Sequence, residues 1–163
     1  YLERFNKQVE ELTGAAKLTA EQPQLTGAWY RPLLAIGVVH RDVGDYERAE
    51  IAFQEANRVE PNAFVPYGNL ADLYYRYTHE CEKAEPYYLR AIEFPDGYVD
   101  TYYSELFELY RDCYKDQKKA EELLIAGTQK YPNQLVILST LALHYKITGQ
   151  TEESISRYRE LLI

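Results

Sequence analysis

The sequence contains no methionine, only two cysteines and three histidines, and no apolar run long enough to cross a bilayer, although 46% of its residues are hydrophobic. Two distant cysteines cannot build the framework of a small disulfide-stapled domain. The missing long run excludes membrane insertion by this segment. Positive charge is also scarce: 18 Lys and Arg stand against 26 Asp and Glu, a formal net charge of -8. Phosphate backbones are bound chiefly by neutralising Lys and Arg, and no basic face is segregated here, so no nucleic-acid partner is expected. A charged, amphipathic start at Tyr1-Leu2-Glu3-Arg4 resembles neither a secretory core nor an initiating terminus, which predicts a piece of a longer chain. No compartment is written in these residues.

The motifs of catalysis are missing as well. No phosphate-cradling glycine loop and no H-E-x-x-H pair occurs, and no nucleophile, base and orienting group are spaced to converge, so no catalytic residue, cofactor or metal is assigned and no enzyme is expected. His40 occupies a packing position and reads as a satisfied core or groove histidine. His144, beside Tyr145 on a helix, is expected to be partly exposed. The acidic pairs Glu10-Glu11, Glu121-Glu122 and Glu152-Glu153 read as solvated helix faces.

What the chain does have is self-similarity. Leu33, Ile36, Gly37 and His40 are followed by Gly44, Tyr46, Ala49, Phe53, Ala56 and Pro61. A second unit offers Tyr67, Leu70, Ala71 and Tyr74, then Ala84, Tyr88, Ala91 and Pro95. A third offers Tyr103, Leu106, Phe107 and Tyr110, then Ala120, Leu124, Gly127 and Pro132, offset from the second by 36 residues. The fourth runs through Leu138, Leu141, Ala142, Tyr145, Gly149 and Tyr158. Each unit reads as two antiparallel helices whose apolar faces are buried only by stacking on neighbours. Small residues mark close approach, Gly37, Ala71 and Ala142 on the first helix and Ala49, Ala84 and Ala120 on the second. Phe107 breaks that rule, and its pair is expected to be splayed or shifted. Gly44 with Asp45, and Gly149 with Thr151, read as helix stop and next cap.

This spacing resembles the tetratricopeptide-repeat (TPR) pattern of a large apolar residue, Leu-Gly, aromatic, Ala, Phe, Ala and a closing Pro, from about residue 28 to the end. The usual unit is about 34 residues, and the surplus in the middle units falls partly in the turns Tyr77-Thr78-His79-Glu80 and Tyr114-Lys115-Asp116. The resemblance implies an all-α fold, a right-handed α-solenoid of antiparallel helix pairs with about four repeats (28–62, 63–96, 97–132 and 133–163). Residues 1–27, with Leu2, Phe5, Val9 and Leu12 in a helical stripe, are expected to form a leading helix and loop packing on the array.

For function, the resemblance implies a non-catalytic scaffold that binds a protein or peptide in a groove lined by the first helix of each pair. Helical projection places Leu34, Val38, Arg41, Asp72, Tyr75, Arg76, Glu108, Arg111 and Lys146 on or near that face. The bland alternative is that these are solvated positions tied in intramolecular ion pairs. Chaperone-binding members grip a carboxylate with Lys, Asn and Arg; the matching positions here, about Leu34, Val38, Asn69 or Asp72, Ser104 and Glu108, lack the lysines, so that role is not expected. Self-association as a homodimer through the terminal repeats is the alternative function, and a regulatory segment of a larger enzyme is a third. His79, Cys81 and Cys113 fall in regions that stacking makes neighbours. A Cys81–Cys113 disulfide, two unlinked thiols and a zinc site with His79 all remain open, the last short of a fourth ligand.

Overall fold

The computed structural model describes residues 27–94, 98–132 and 134–162. The leading helix expected over 1–27 therefore lies almost wholly outside the described residues. After a 3-10 turn at Gly27–Trp29, the described residues form α1 (Tyr30–Asp42), α2 (Tyr46–Val59), α3 (Phe64–Asp72, continued by a π-helical turn Leu73–Tyr77), α4 (Cys81–Ala91), α5 (Val99–Asp112), α6 (Gln117–Lys130), α7 (Leu135–Ile147) and α8 (Thr151–Glu160). They contain no strand. The chain divides into two compact units, residues 1–66 and 67–163.

In the first unit, α1 and α2 close on one another because Gly37 lacks a side chain: a Cβ there would lie inside the ring of Phe53. Phe53, Ala49 and Ala56 are fully buried on the facing side of α2. The turn between the two helices ends α1 with Gly44 in the left-handed region (φ 83°). Asp45 then caps α2, its carboxylate accepting from the Arg48 amide at 3.3 Å. His40 is largely enclosed, its Nδ1 3.4 Å from the Asp45 carboxylate.

The second unit repeats the device with the partners permuted. Tyr102 of α5 lies over Gly68 of α3, where a Cβ would meet its phenol ring. The Tyr103 ring covers Gly127 of α6 and meets Tyr131 edge-on at 6.0 Å. Leu106 and Leu124 are fully buried in the third pair, while Phe107, also buried, turns its ring edge-on to His144 of α7 at 5.4 Å. The bulk that replaces a small residue at Phe107 is thus taken up by the next pair. Leu141 and Ala142 are buried, and Ser154 donates to the Ala142 carbonyl at 2.9 Å, tying α8 to α7.

Two expectations need correction. His144 is not partly exposed; it retains only 5% of its accessible surface, because Phe107 reaches across from α5 and Glu121 lies 3.5 Å from its Nε2. Thr151 does not cap α8 but begins it; the non-helical position is Gln150, whose amide returns to the Tyr145 carbonyl at 2.8 Å.

Candidate functional site

α5 and α7 are the first helices of adjacent pairs, and between them lies an open cleft of about 430 Å³. Its α5 wall carries Ser104, Phe107, Glu108 and Arg111, its α7 wall Thr140, Leu143, His144 and Ile147, with Gln117 and Thr148 at one end. Ser104 and Thr140 join across it by a hydroxyl hydrogen bond of 3.1 Å. Leu143 and Ile147 lie one helical turn apart and keep 46% and 72% of their surface exposed. Water-facing leucine and isoleucine on a groove wall represent unburied apolar area that a ligand could cover.

The charges beside the cleft form a network across helices. Arg76 of α3 donates to Glu105 of α5, lies 3.5 Å from Glu108 and 3.9 Å from Asp72, and stands over the Tyr75 ring. Asp72 also accepts from the buried Tyr88 hydroxyl at 2.6 Å. Burial pushes the Glu105 carboxyl above its ordinary range, opposed by the Arg76 hydrogen bond and charge. Burial, with the Asp72 carboxylate behind it, also pushes the Tyr88 phenol strongly up, so Tyr88 stays neutral and donating. Arg111 spends its fork on neighbouring Asp112, at 2.7 and 2.6 Å, and its guanidinium lies over Phe107.

No family model matches the sequence, and no curated protein matches it significantly. Solved structures share its fold. A MamA structure aligns with 96% of this chain and 82% of its own at a TM-score of 0.63 and 18% identity. A second MamA structure aligns with 82% of this chain and 71% of its own at a TM-score of 0.58 and 20% identity. A putative kinesin light chain from Podospora anserina with nearly identical TPR-like repeats gives a TM-score of 0.60 at 17% identity, covering 95% of this chain and 86% of its own. This chain has a TPR-like fold.

On that TPR-like frame, the residues singled out by helical projection separate into three groups. Glu108 and Arg111 line the cleft, and Asp72, Tyr75 and Arg76 adjoin it through the network above. Lys146 is exposed on α7 but is not part of the cleft wall. Leu34, Val38 and Arg41 are half-buried along one face of α1 in the first unit, with Arg41 paired to Asp42 at 2.9 Å. Sequence reasoning missed Phe107, Thr140, Leu143, His144 and Ile147. A usable signal was present: α7 reads LVILSTLALHYKI, apolar nearly all round, so one face is left over after the core is filled.

Cys81 at the start of α4 and Cys113 at the end of α5 are joined as a disulfide, with Cα atoms 6.4 Å apart. The described residues hold no group of three or more potential metal ligands. None of their helices is long and apolar enough to cross a membrane.

Proposed function

We propose that this chain is a non-catalytic scaffold that binds a segment of another protein in the cleft between α5 and α7. The fold is one associated with protein-interaction scaffolds in general. The observation that carries the finer reading is the pair Leu143 and Ile147, exposed side by side on a groove wall beside buried Phe107. Covering the surface these two side chains still expose supplies roughly 1–2 kcal/mol each, enough to help anchor a ligand that the surrounding polar groups then orient. The test is affinity capture from source lysate with the wild type beside a Leu143→Ser, Ile147→Ser double variant, after circular dichroism confirms both are folded. Loss of a captured protein from the variant alone supports the cleft; equal capture by both rejects it. These positions are better probes than Arg76, whose removal would leave the half-buried Glu105 carboxylate without its counter-charge.

A second reading rests on the other end of the fourth pair. On and just beyond α8, Ile155, Tyr158 and Leu162 are exposed at helical spacing, a face that a second copy of the chain could cover. Light scattering across a concentration series decides it: a monomer throughout removes self-association.

A further inference from the structure

The chemistry of the ligand can be read from which charges around the cleft are already used. Four carboxylates, those of Asp72, Glu105, Glu108 and Asp112, share two guanidiniums, those of Arg76 and Arg111. Both cations are committed. Arg111 gives two donors to Asp112 and lays its face on Phe107. Arg76 donates to Glu105 and covers Tyr75. Neither is placed to grip an incoming carboxylate without breaking an existing pair. Glu108 shares the Arg76 guanidinium with Glu105 and Asp72, at 3.5 Å, and its side chain is 41% exposed. With four carboxylates to two guanidiniums, it presents part of a net negative charge at the α5 wall, opposite the exposed Leu143 and Ile147 of the α7 wall.

Building on the cleft reading above, we infer that the ligand is a short cationic amphipathic segment of a partner protein. A bulky aliphatic or aromatic side chain seats on Leu143 and Ile147 beside Phe107. A Lys or Arg within a turn or two of that anchor reaches Glu108. An acidic segment would meet the surplus of carboxylates and find both guanidiniums already paired. An uncharged one would bury the apolar wall and leave the excess of carboxylates around Glu108 unbalanced.

Selection of a phage-displayed random dodecapeptide library against the full chain tests this directly. Enriched peptides should carry Leu, Ile, Phe or Trp near Lys or Arg. One of them, with a matched version in which Lys or Arg is replaced by norleucine, is then titrated against wild type, Glu108→Gln, and the Leu143→Ser, Ile147→Ser variant. Glu108→Gln should weaken the cationic peptide about threefold to tenfold and leave the norleucine version unchanged. The serine variant should weaken both at least about tenfold. Enriched peptides that are acidic or uncharged, or equal losses of both versions on Glu108→Gln, overturn the inference while leaving the cleft reading intact if the serine variant still abolishes binding. Binding indifferent to the serine variant, or no enrichment, overturns both. A concentration-dependent dimer dissolved by Ile147→Ser would assign the cleft to a second copy of the chain and equally overturn the inference.

Discussion

The two outer helix pairs and the two inner ones turn by the same hydrogen bond at different lengths. In the outer pairs, the amides of Asp45 and Gln150 return to the carbonyls of His40 and Tyr145, five residues back. In the inner pairs, the amides of Glu80 and Asp116 return to Tyr74 and Tyr110, six residues back. The outer turns pass through the left-handed region on glycine, Gly44 at φ 83° and Gly149 at φ 82°. The inner turns use His79 at φ 58° and Lys115 at φ 56°, residues whose Cβ makes that conformation costly. In the second pair the extra residue also widens the last turn of the helix, where the Thr78 amide reaches back to Leu73. An added residue without glycine is a local weakness, and the inner turns carry two reinforcements that the outer ones lack. One is the Cys81–Cys113 disulfide, which ties the start of α4 to the end of α5. The other is Glu85 of α4, which accepts from Tyr110 of α5 at 2.9 Å, from Tyr114 in the turn at 3.0 Å and from Lys119 of α6 at 2.8 Å.

Breaking the covalent reinforcement should have the largest effect. The bridge spans 32 residues, and closing a loop of that size removes about 3–4 kcal/mol of unfolded-chain freedom in the entropic account. Cys81→Ser with Cys113→Ser should therefore lower the urea midpoint by an amount equivalent to most of that. The untreated wild type, denatured without reductant, should show no reactive thiol. Two reactive thiols in oxidised protein, or an unchanged midpoint in the double variant, would remove the disulfide from the comparison.

Glu85 should come next. Burial opposes its ionisation, but the hydrogen bonds from Lys119, Tyr110 and Tyr114 and the Lys119 charge outweigh it and hold the carboxyl below the ordinary carboxylate range. A carboxyl whose folded pKa is depressed contributes stability above its unfolded pKa and loses it as pH falls through the folded value. Glu85→Gln should cost on the order of 1–2 kcal/mol at neutral pH, the scale of a charge-assisted hydrogen bond. The difference between the two proteins should shrink on acidification below about pH 4. Parallel urea melts at neutral and acidic pH give the measurement; a constant gap across that range would mean that Glu85 acts by shape alone.

The repeat was readable because stacking demands a fixed placement of small and large residues, and Gly37 against Phe53 meets that demand directly. The surplus length of the middle units was also readable near His79 and Lys115. The cleft was less so. Projection onto one helix finds residues such as Glu108 and Arg111, yet a cleft belongs to two helices, and the contribution of α7 depends on how Phe107 is received. That substitution looked like a fault within its own pair. In three dimensions its ring reaches the next pair and buries His144, a consequence invisible to any single-helix pattern. The ion pairs of Arg76 were hidden for the same reason, since Glu105 and Arg76 are 29 residues apart.

The smallest effects should come from the turn residues themselves, and they test the comparison most directly. Gly149→Ala places a Cβ in the left-handed region with no neighbour within 4 Å, so space is not limiting, and the backbone strain of about 1–2 kcal/mol is offset only in part by the about 0.4–1 kcal/mol gained from stiffening the unfolded chain. Lys115→Gly makes the reverse exchange at φ 56°. It relieves similar strain but gives the unfolded chain more freedom, worth about 0.4–1 kcal/mol, so the two terms nearly cancel. Denaturant melts should show a small net loss for the first variant and a change within about 0.5 kcal/mol for the second. If Lys115→Gly were instead stabilising by the full strain, the inner turns would be strained conformations held in place by the disulfide and Glu85. If it were destabilising by as much as Gly149→Ala, the Lys115 side chain would have a role in the turn that its backbone angle does not reveal.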